Sequence, residues 1–352
     1  MVEKGLRVMI NGFYGAHNSG DEAMLRNFVY NMQAHDPECI TLVATDKAQS
    51  FNYKNVYFVS SEDRAQLTET DAFILGGGDL TPAFGNQLLL HAKKVGNKCI
   101  MLGASINDDW LYEKMRDIYV KSLELFDLIF VRDLQSKENL DKLGIKCSVK
   151  TDISVGLPSV PIEFKKSDKH VTLCIREVHP EYEVRMVALA NKVVRFLLKE
   201  GFTITLLPLC YEDKRSYEYF TKIDPKIEMI YTLSPQQHKY VIGNSDYVIS
   251  LGRLHPLIYA IDTVTPMLGV VYPILETPRY HKMPAWFEYI NNDYLLNFNL
   301  KMKDFEKKFR ELNDHKDEVK KQLVIQKKSH DKCNKEQFNE LINFIKGKND
   351  NT

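Results

Sequence analysis

The chain has 352 residues, of which 44% are hydrophobic and 27% charged, the composition of a soluble globular protein. Its 47 basic and 47 acidic side chains give a formal net charge of zero, so it lacks the basic surplus typical of nucleic-acid-binding proteins. The N-terminus has no signal-peptide pattern, no stretch approaches the ~20 apolar residues of a membrane span, and the six scattered cysteines form no Cys-x-x-Cys pair, so we expect a cytoplasmic protein without a zinc site.

The first half of the chain alternates short apolar strands with amphipathic helices. This alternation predicts βαβ units and a parallel sheet. The predicted strands are Arg7–Asn11, Ile40–Ala44, Ala72–Leu75, Lys98–Leu102 and Leu128–Val131, and the helices between them include Glu22–Ala34 and Gln87–Val95.

A second series of the same kind begins near His170. Its predicted strands are Val171–Ile175, Thr203–Leu207, Ile227–Tyr231, Tyr247–Leu251 and Met267–Val271, with a helix at Tyr182–Lys199. The segment 156–169 carries two prolines and a polar run, which favours a linker. We therefore predict an α/β protein with two Rossmann-like domains, 1–157 and 158–300, that face each other across a cleft.

The Lys- and Glu-rich tail, 301–352, contains two apolar stripes at helical spacing. The first stripe is Phe305, Phe309 and Leu312, and the second is Phe338, Leu341, Ile342 and Ile345. They predict a pair of surface helices, of which the last can pack back onto the first domain. A basic helix here could also contact an anionic membrane from the cytoplasmic side.

A glycine-rich segment, 11–22, lies between the first strand and the first helix. Its glycines allow a tight turn and a close backbone approach to a ligand, although their spacing is neither a dinucleotide fingerprint nor a P-loop. Ser19 and Glu22 have the spacing of a capping box, which predicts a helix start there. Asp21 would lie at the mouth of the cleft, where a carboxylate can act as a base or orient a hydroxyl. An ordinary capped turn is the alternative.

Three consecutive glycines, Gly76, Gly77 and Gly78, follow the predicted strand Ala72–Leu75. Such a run costs conformational entropy, so we expect backbone there to lie against a ligand or the other domain. A simple flexible loop is the alternative.

Arginines follow two predicted strands, Arg132 in the first half and Arg176 in the second. Both should emerge at carboxyl edges of their sheets, either as surface ion pairs or as ligands. Together with Arg253 they could form a cationic cluster that holds a phosphate and a carboxylate.

The tripeptide Arg253-Leu254-His255 is the most informative feature of the chain. It follows a buried strand and precedes Pro256, which suits the first helical position and makes His255 the expected N-cap. An extended segment before the proline would point Arg253 and His255 the same way, beside a helix N-terminus. A guanidinium, an imidazole and free N–H groups suit an anion that undergoes acid/base chemistry, although a solvated surface pair is the alternative.

Taken together, these segments resemble the polysaccharide pyruvyl transferase family. The resemblance covers most of residues 6–282 and depends on the order of several motifs. They are Gly12–Leu25, Leu75–Gly78, Val131–Leu140, Thr151–Ser154 and Arg253–Ala260, followed by Pro266 and Tyr272. Two positions depart from the family: Asp79 replaces a common fourth glycine, and Arg279 corresponds loosely to a lysine.

The resemblance implies a fold similar to the two-domain GT-B glycosyltransferases and an active site between the domains. It implies phosphoenolpyruvate as donor, a saccharide as acceptor (a nucleotide sugar, lipid-linked sugar or oligosaccharide), and a pyruvate ketal as product, with no metal or other cofactor. The catalytic residues would be His255 as general acid/base, Arg253, and Asp21, which would help activate or orient the acceptor. Arg253 and Arg132 would bind the phosphate and carboxylate of the donor. The remaining donor-binding residues would be Arg176, Leu254, Asn18, Ser19, Gly20 and Gly76–Gly78.

The chemistry of this donor fits those residue types. Protonation of the methylene makes the adjoining carbon electrophilic, and an imidazole is a natural proton donor near neutral pH. Nearby arginines should depress the pKa of that imidazole until an anion binds. A GT-B glycosyltransferase with a nucleotide-sugar donor, and a non-catalytic sugar-binding relative, are the rival interpretations.

Overall fold

A computed structural model describes residues 5–47, 52–78, 86–106, 116–164, 167–176, 180–213, 220–231, 234–271, 282–296 and 301–347. Within these ranges the chain forms two parallel β-sheets flanked by helices. This confirms the predicted α/β architecture with two Rossmann-like domains. None of the described helices is both long enough and apolar enough to cross a bilayer.

The first sheet has seven strands in the order β3-β2-β1-β4-β5-β6-β7. Its strands are β1 (Arg7–Asn11), β2 (Ile40–Ala44), β3 (Val56–Val59), β4 (Ala72–Gly78), β5 (Lys98–Ala104), β6 (Leu128–Val131) and β7 (Ser148–Val149). Its helices are α1 (Ser19–His35), α2 (Asn86–Lys94), α3 (Arg116–Leu123) and α4 (Leu134–Asp141), with a 3-10 turn at Arg64–Glu69. All neighbouring strands pair in parallel, so their carboxyl ends lie along one edge.

The second sheet has six strands in the order β10-β9-β8-β11-β12-β13. Its strands are β8 (His170–Ile175), β9 (Thr203–Leu206), β10 (Ile227–Met229), β11 (Tyr247–Leu251), β12 (Met267–Val270) and β13 (Leu295–Leu296). The helices that follow in the chain are α5 (Pro180–Lys199), α6 (Pro235–Gly243), α7 (His255–Thr263), α8 (Lys282–Tyr289), α9 (Met302–Asp314) and α10 (Lys316–Lys346).

Strands β1 and β11, inside their respective sheets, are largely apolar and are covered on both faces. Strands buried in this way have continuous hydrophobic sequences. Val8 and Ile10 of β1 pack under α1, whereas Met9 faces the opposite layer. In the second sheet, Val248 and Ile249 of β11 belong to a single large core. Burial on both faces agrees with the positions of β1 and β11 inside their sheets.

The last helix, α10, contributes to the cores of both domains. Near its start, Val319 and Leu323 pack in the core of the second sheet. Near its end, Phe338 and its neighbours pack in the core of the first sheet, where the Phe338 ring lies 6.2 Å from that of Phe28. Lys98 of β5 donates hydrogen bonds to the last carbonyls of the helix, a favourable position for a cation.

The segment 151–157 joins the two domains and is buried except for the half-buried Gly156. Asn27 of α1 donates to two of its carbonyls, at 2.7 and 2.6 Å. Thr151 shares a 2.5 Å hydrogen bond with His330 of α10. The connection is therefore held by helices on several sides.

Lys239 of α6 and Asp262 of α7 form a buried ion pair against the same segment. Their Nζ and Oδ2 atoms lie 2.5 Å apart, and both side chains are almost fully buried. Lys239 also donates to the carbonyl of Leu157 at 2.6 Å, and Asp262 accepts the backbone N–H of Gly156 at 2.9 Å. One charge pair thus satisfies two backbone groups of the connection.

We expect the Ile342→Val substitution in α10 to lower the free energy of unfolding by about 0.5–1.5 kcal/mol. Ile342 is 5% exposed in the core of the first sheet, so the lost methylene leaves a small cavity. Ile325→Val on the same helix is the control, because Ile325 is 69% exposed and its change should stay within about 0.5 kcal/mol. Urea denaturation measures both, and equal effects would contradict the packing of this helix end.

Candidate active site

The N-terminus of α1, from the first domain, lies directly against the second domain. The backbone N–H of Ser19 donates to the carbonyl of Leu209, beyond β9, at 2.7 Å. The hydroxyl of Ser19 lies 2.8 Å from Nδ1 of His238 and 3.2 Å from the hydroxyl of Tyr259. The predicted cleft residues of the first glycine-rich segment are therefore at the contact between the domains.

The helix begins at Ser19, as the spacing predicted, but its cap is a different residue. Asn18 is the N-cap, and its side chain accepts the N–H of Gly20 at 3.1 Å. Glu22 accepts the N–H of Gly15 at 2.6 Å instead of completing a capping box. The prediction of a Ser19/Glu22 box was wrong because the loop turns back across the first helical turn.

The three glycines belong to β4 rather than to a loop after it. A Cβ atom at Gly76 would overlap with the hydroxyl of Tyr14, and one at Gly77 would overlap with Met24. At Gly78, with φ +93°, a Cβ atom would lie 3.2 Å from Oδ1 of Asp21. The glycines therefore let the first turns of α1 pack against the strand end, and they bring Gly78 beside Asp21.

The sequence predicted an extended Arg253-Leu254-His255 segment with His255 as the N-cap, and both predictions were wrong. Helix α7 begins at His255, and Leu254 is its N-cap with right-handed helical angles, φ −79° and ψ −48°. Pro256 consequently occupies the second helical position, where its missing N–H is also unneeded. Because the chain turns at Leu254, Arg253 and His255 reach different partners.

His255 packs against the first domain. A Cβ atom at Gly20 would overlap with its imidazole ring, so only glycine fits beneath that ring. Its Nε2 atom lies 3.9 Å from Oδ2 of Asp152, a carboxylate that is fully buried in the connecting segment. The imidazole is thus enclosed by residues of α1 on one side and of the connection on the other.

Arg132 is 1% exposed and forms a buried ion pair with Asp152. Its Nη1 donates to Oδ2 of Asp152 at 2.7 Å and its Nε to the hydroxyl of Ser105 at 2.8 Å. Burial alone would raise the pKa of Asp152, but Arg132, His255 and two hydrogen bonds from Ser154 outweigh it and lower that pKa below its usual value. Asp152 is therefore ionised at neutral pH.

Arg253 is bound by Asp213, a fully buried carboxylate beyond β9. Its Nε donates to Oδ2 at 3.0 Å, and its Nη2 donates to Oδ1, so the pair is bidentate. Arg176 lies next to this segment, because its backbone N–H donates to the carbonyl of Leu251 at 2.9 Å. Both arginines follow strand ends of the second sheet, as predicted.

Sequence analysis did not single out Asp152 or Asp213 as site residues. Asp152 had a signal, since it stands in the Thr151–Ser154 motif of the resemblance. Asp213 had none, because it lies in a loop whose position only the fold defines. Asp79, Tyr272 and Arg279 lie outside the described residues. In the described part of the chain, no three His, Cys, Asp or Glu side chains are grouped to hold a metal ion.

We expect the protein to lose stability between pH 6.5 and 4 because of His238. Burial lowers the pKa of His238 to about 4, from an ordinary value near 6.5. Only the unfolded chain takes up the proton in that window, so unfolding becomes more favourable as the pH falls, by on the order of 3 kcal/mol. Urea titrations across the window measure it against His238→Gln, which should flatten the profile. An unchanged profile in the variant would contradict the assignment.

The comparisons with known proteins agree with this architecture. The model of the polysaccharide pyruvyl transferase family matches residues 18–273. No curated protein sequence matches the chain significantly. Among solved structures, the chain is similar to a putative UDP-N-acetylglucosamine 2-epimerase from Listeria monocytogenes, with 12% identity and a TM-score of 0.63 over 91% of this chain and 90% of that one.

Two further structures extend the similarity. UDP-GlcNAc 2-epimerase from Neisseria meningitidis, bound to UDP-GlcNAc, has 11% identity and a TM-score of 0.63, covering 96% of this chain and 99% of that one. A ugt transferase from Siraitia grosvenorii, in complex with UDP, has 11% identity and a TM-score of 0.61 over the same shares. At these identities the likeness establishes the GT-B-like fold.

Proposed function

The chain belongs to the polysaccharide pyruvyl transferase family, and from this we propose that it transfers the pyruvyl group of phosphoenolpyruvate to a saccharide in cell-surface glycan synthesis. The observation that carries the proposal is the packing of His255, from the second domain, on Gly20 of the first, the residue that precedes Asp21. Arg253, held by Asp213, is two residues from His255. The segments that carry a cation, an acid/base group and a carboxylate thus lie where the two domains touch.

The reaction assigns a task to each of these residues. His255 protonates the methylene of phosphoenolpyruvate, so the adjoining carbon accepts a sugar hydroxyl. Phosphate then leaves, and a second hydroxyl attacks the same carbon to close the ketal; the hydroxyl protons balance the methyl proton and the proton on the phosphate. Arg253 neutralises the donor's charge, and Asp21 orients the acceptor hydroxyl. Arg176 stays a predicted donor ligand, whereas Arg132 is buried and bonded to Asp152 and Ser105, which does not fit direct donor binding.

The site residues have distinct environments that suit these tasks. Asp213 holds the plane of the Arg253 guanidinium through two hydrogen bonds, which orients its positive charge. Asp21 lies in the first turn of α1 next to Gly78, which has no side chain to cover it. The saccharide is a nucleotide sugar, a lipid-linked sugar or an oligosaccharide, with the protein acting in the cytoplasm or at the membrane surface.

A glycosyltransferase with a nucleotide-sugar donor is the second candidate. It is favoured by the GT-B-like neighbours that were solved with UDP or UDP-GlcNAc. In that case the helix N-termini at Ser19 and His255 would meet a diphosphate. The two functions differ in the donor that binds.

The experiment is thermal denaturation with phosphoenolpyruvate and, in parallel, with UDP, followed by a phosphate-release assay over a panel of sugars. A ligand that binds only the folded protein stabilises it by about 2.7 kcal/mol at a hundred times its Kd. We expect stabilisation by phosphoenolpyruvate that is lost in Arg253→Gln, and sugar-dependent phosphate release. Stabilisation by UDP alone would favour the glycosyltransferase.

We expect Gly20→Ala to lower kcat for pyruvyl transfer by about 10²-fold, since displacing a catalytic group by ~1 Å has effects of that size. The added methyl group would overlap with the His255 ring and force it to move. Gly144→Ala is the control, because Gly144 also resists substitution (φ +72°) but has nothing within 4 Å of an added Cβ. Steady-state kinetics compare them, and equal activities would contradict the packing of His255 on Gly20.

A further inference from the structure

We propose that Asp152 is a positioning residue that sets the protonation of His255, with Arg132 as the counterion that limits its effect. The effect on catalysis rests on the proposed function, whereas the effect on the protonation of His255 rests on the geometry of Asp152, His255 and Arg132. It concerns a residue that acts through the imidazole, without touching the substrate.

The geometry places a permanent negative charge beside one ring nitrogen. Oδ2 of Asp152 lies 3.9 Å from Nε2 of His255, too far for a hydrogen bond but close for a charge pair. The same oxygen accepts Nη1 of Arg132 at 2.7 Å. One carboxylate oxygen therefore faces a cation that is always present and an imidazole that is charged only when protonated.

Asp152 is itself rigidly held. Its second oxygen, Oδ1, accepts the backbone N–H of Ser154 at 2.9 Å and the hydroxyl of Ser154 at 2.6 Å. The carboxylate is fully buried in the connection between the domains, so its distance to His255 reports how closely the domains meet. The charge pair to the imidazole exists only while the second domain lies against the first.

Other ionisable groups surround the imidazole. Tyr259 lies on its own helix, with ring centroids 6.4 Å apart, and Asp21 lies on α1 next to Gly20. His330 of α10 interacts electrostatically with Asp152, and burial lowers its pKa. Oδ2 of Asp152 lies 3.9 Å from Nε2, so this carboxylate should contribute strongly to the local field.

The test uses three proteins: wild type, Arg132→Gln, and the double variant Arg132→Gln/Asp152→Asn. Asp152→Asn alone would leave Arg132 buried without its counterion. In Arg132→Gln the Asp152 carboxylate keeps both hydrogen bonds from Ser154, and the double variant keeps two neutral hydrogen-bonding side chains. In each, the titration midpoint of His255 is followed by ¹H–¹³C NMR, with His255→Gln to assign the signal. The alkaline limb of kcat/KM is measured in parallel.

We expect the midpoint and the limb to move together in each variant. Removing Arg132 alone leaves Asp152 less compensated, so both should move to higher pH. Removing both charges should move them to lower pH than in Arg132→Gln by about 1–3 units, the usual effect of one charge at 4–6 Å. Loss of activity with the same midpoint in all three folded proteins would overturn the inference.

The two readouts separate this inference from the function. If the NMR midpoints move as expected but no protein consumes phosphoenolpyruvate, Asp152 still controls His255 and the proposed reaction is wrong. If phosphoenolpyruvate is consumed while the midpoints coincide, the reaction stands and the role of Asp152 does not.

Discussion

Replacing His255 by glutamine should lower kcat for pyruvyl transfer by about 10²–10⁴-fold, the usual contribution of a general acid/base. Glutamine is close in size and keeps polar atoms near Asp152, but it has no proton to give at neutral pH. The Michaelis constant for phosphoenolpyruvate should change much less, because Arg253 and its partner Asp213 are untouched. The measurement is phosphate release under saturating donor and acceptor.

The control for His255→Gln is His315→Gln, an exposed histidine just before α10 whose ring Nδ1 lies 3.0 Å from the carbonyl of Glu311. It should keep wild-type kcat. Thermal denaturation of both variants confirms that they are folded. Turnover within threefold of wild type in a folded His255→Gln protein would remove His255 from the chemistry.

Replacing Lys239 by methionine should lower the free energy of unfolding by about 3–5 kcal/mol. The variant leaves Asp262 buried without a counterion and removes the donor to the Leu157 carbonyl. Both losses occur at the connection between the domains, so the two sheets should separate more easily. Urea denaturation, monitored by circular dichroism, gives the change.

The double variant Lys239→Met/Asp262→Asn separates the effect of an unpaired Asp262 charge on stability from the effect of losing the Lys239 side chain. Replacing both members of a buried pair is often nearly neutral, so the double variant should recover most of the loss. A single variant that unfolds within about 1 kcal/mol of wild type would show that this ion pair contributes little to the contact.

The fold could be predicted from the sequence because its strands are buried on both faces. Runs such as Tyr247–Leu251 have no polar face that could be mistaken for a loop, and the observed strand has the predicted bounds. Burial defines the middle of such a strand well and its end poorly. Strand β4, for example, continues through Gly78, three residues beyond the predicted end. Its last residues are glycines without apolar side chains, and Gly77 packs against Met24 there.

The site could be predicted only in part, since its basic residues carry local signals, whereas Asp213 has none and the role of Asp152 depends on the fold. Arg253 and His255 stand at a strand–helix boundary that a sequence reveals. Asp152 and Asp213 reach them across the fold, and their pairing depends on how two domains dock. The local geometry of Leu254 was also unpredictable, because proline in the second helical position allows the preceding turn to be helical.

The two-core packing of α10 has a consequence for the order in which this protein folds during synthesis. The four residues that complete the interior of the first sheet, Phe338, Leu341, Ile342 and Ile345, leave the ribosome after the entire second sheet. The first domain, which is translated first, therefore has an open hydrophobic groove until translation ends, and its core is completed last. Stalled or shortened chains should expose this apolar groove, so we expect chaperones to bind them through their N-terminal half.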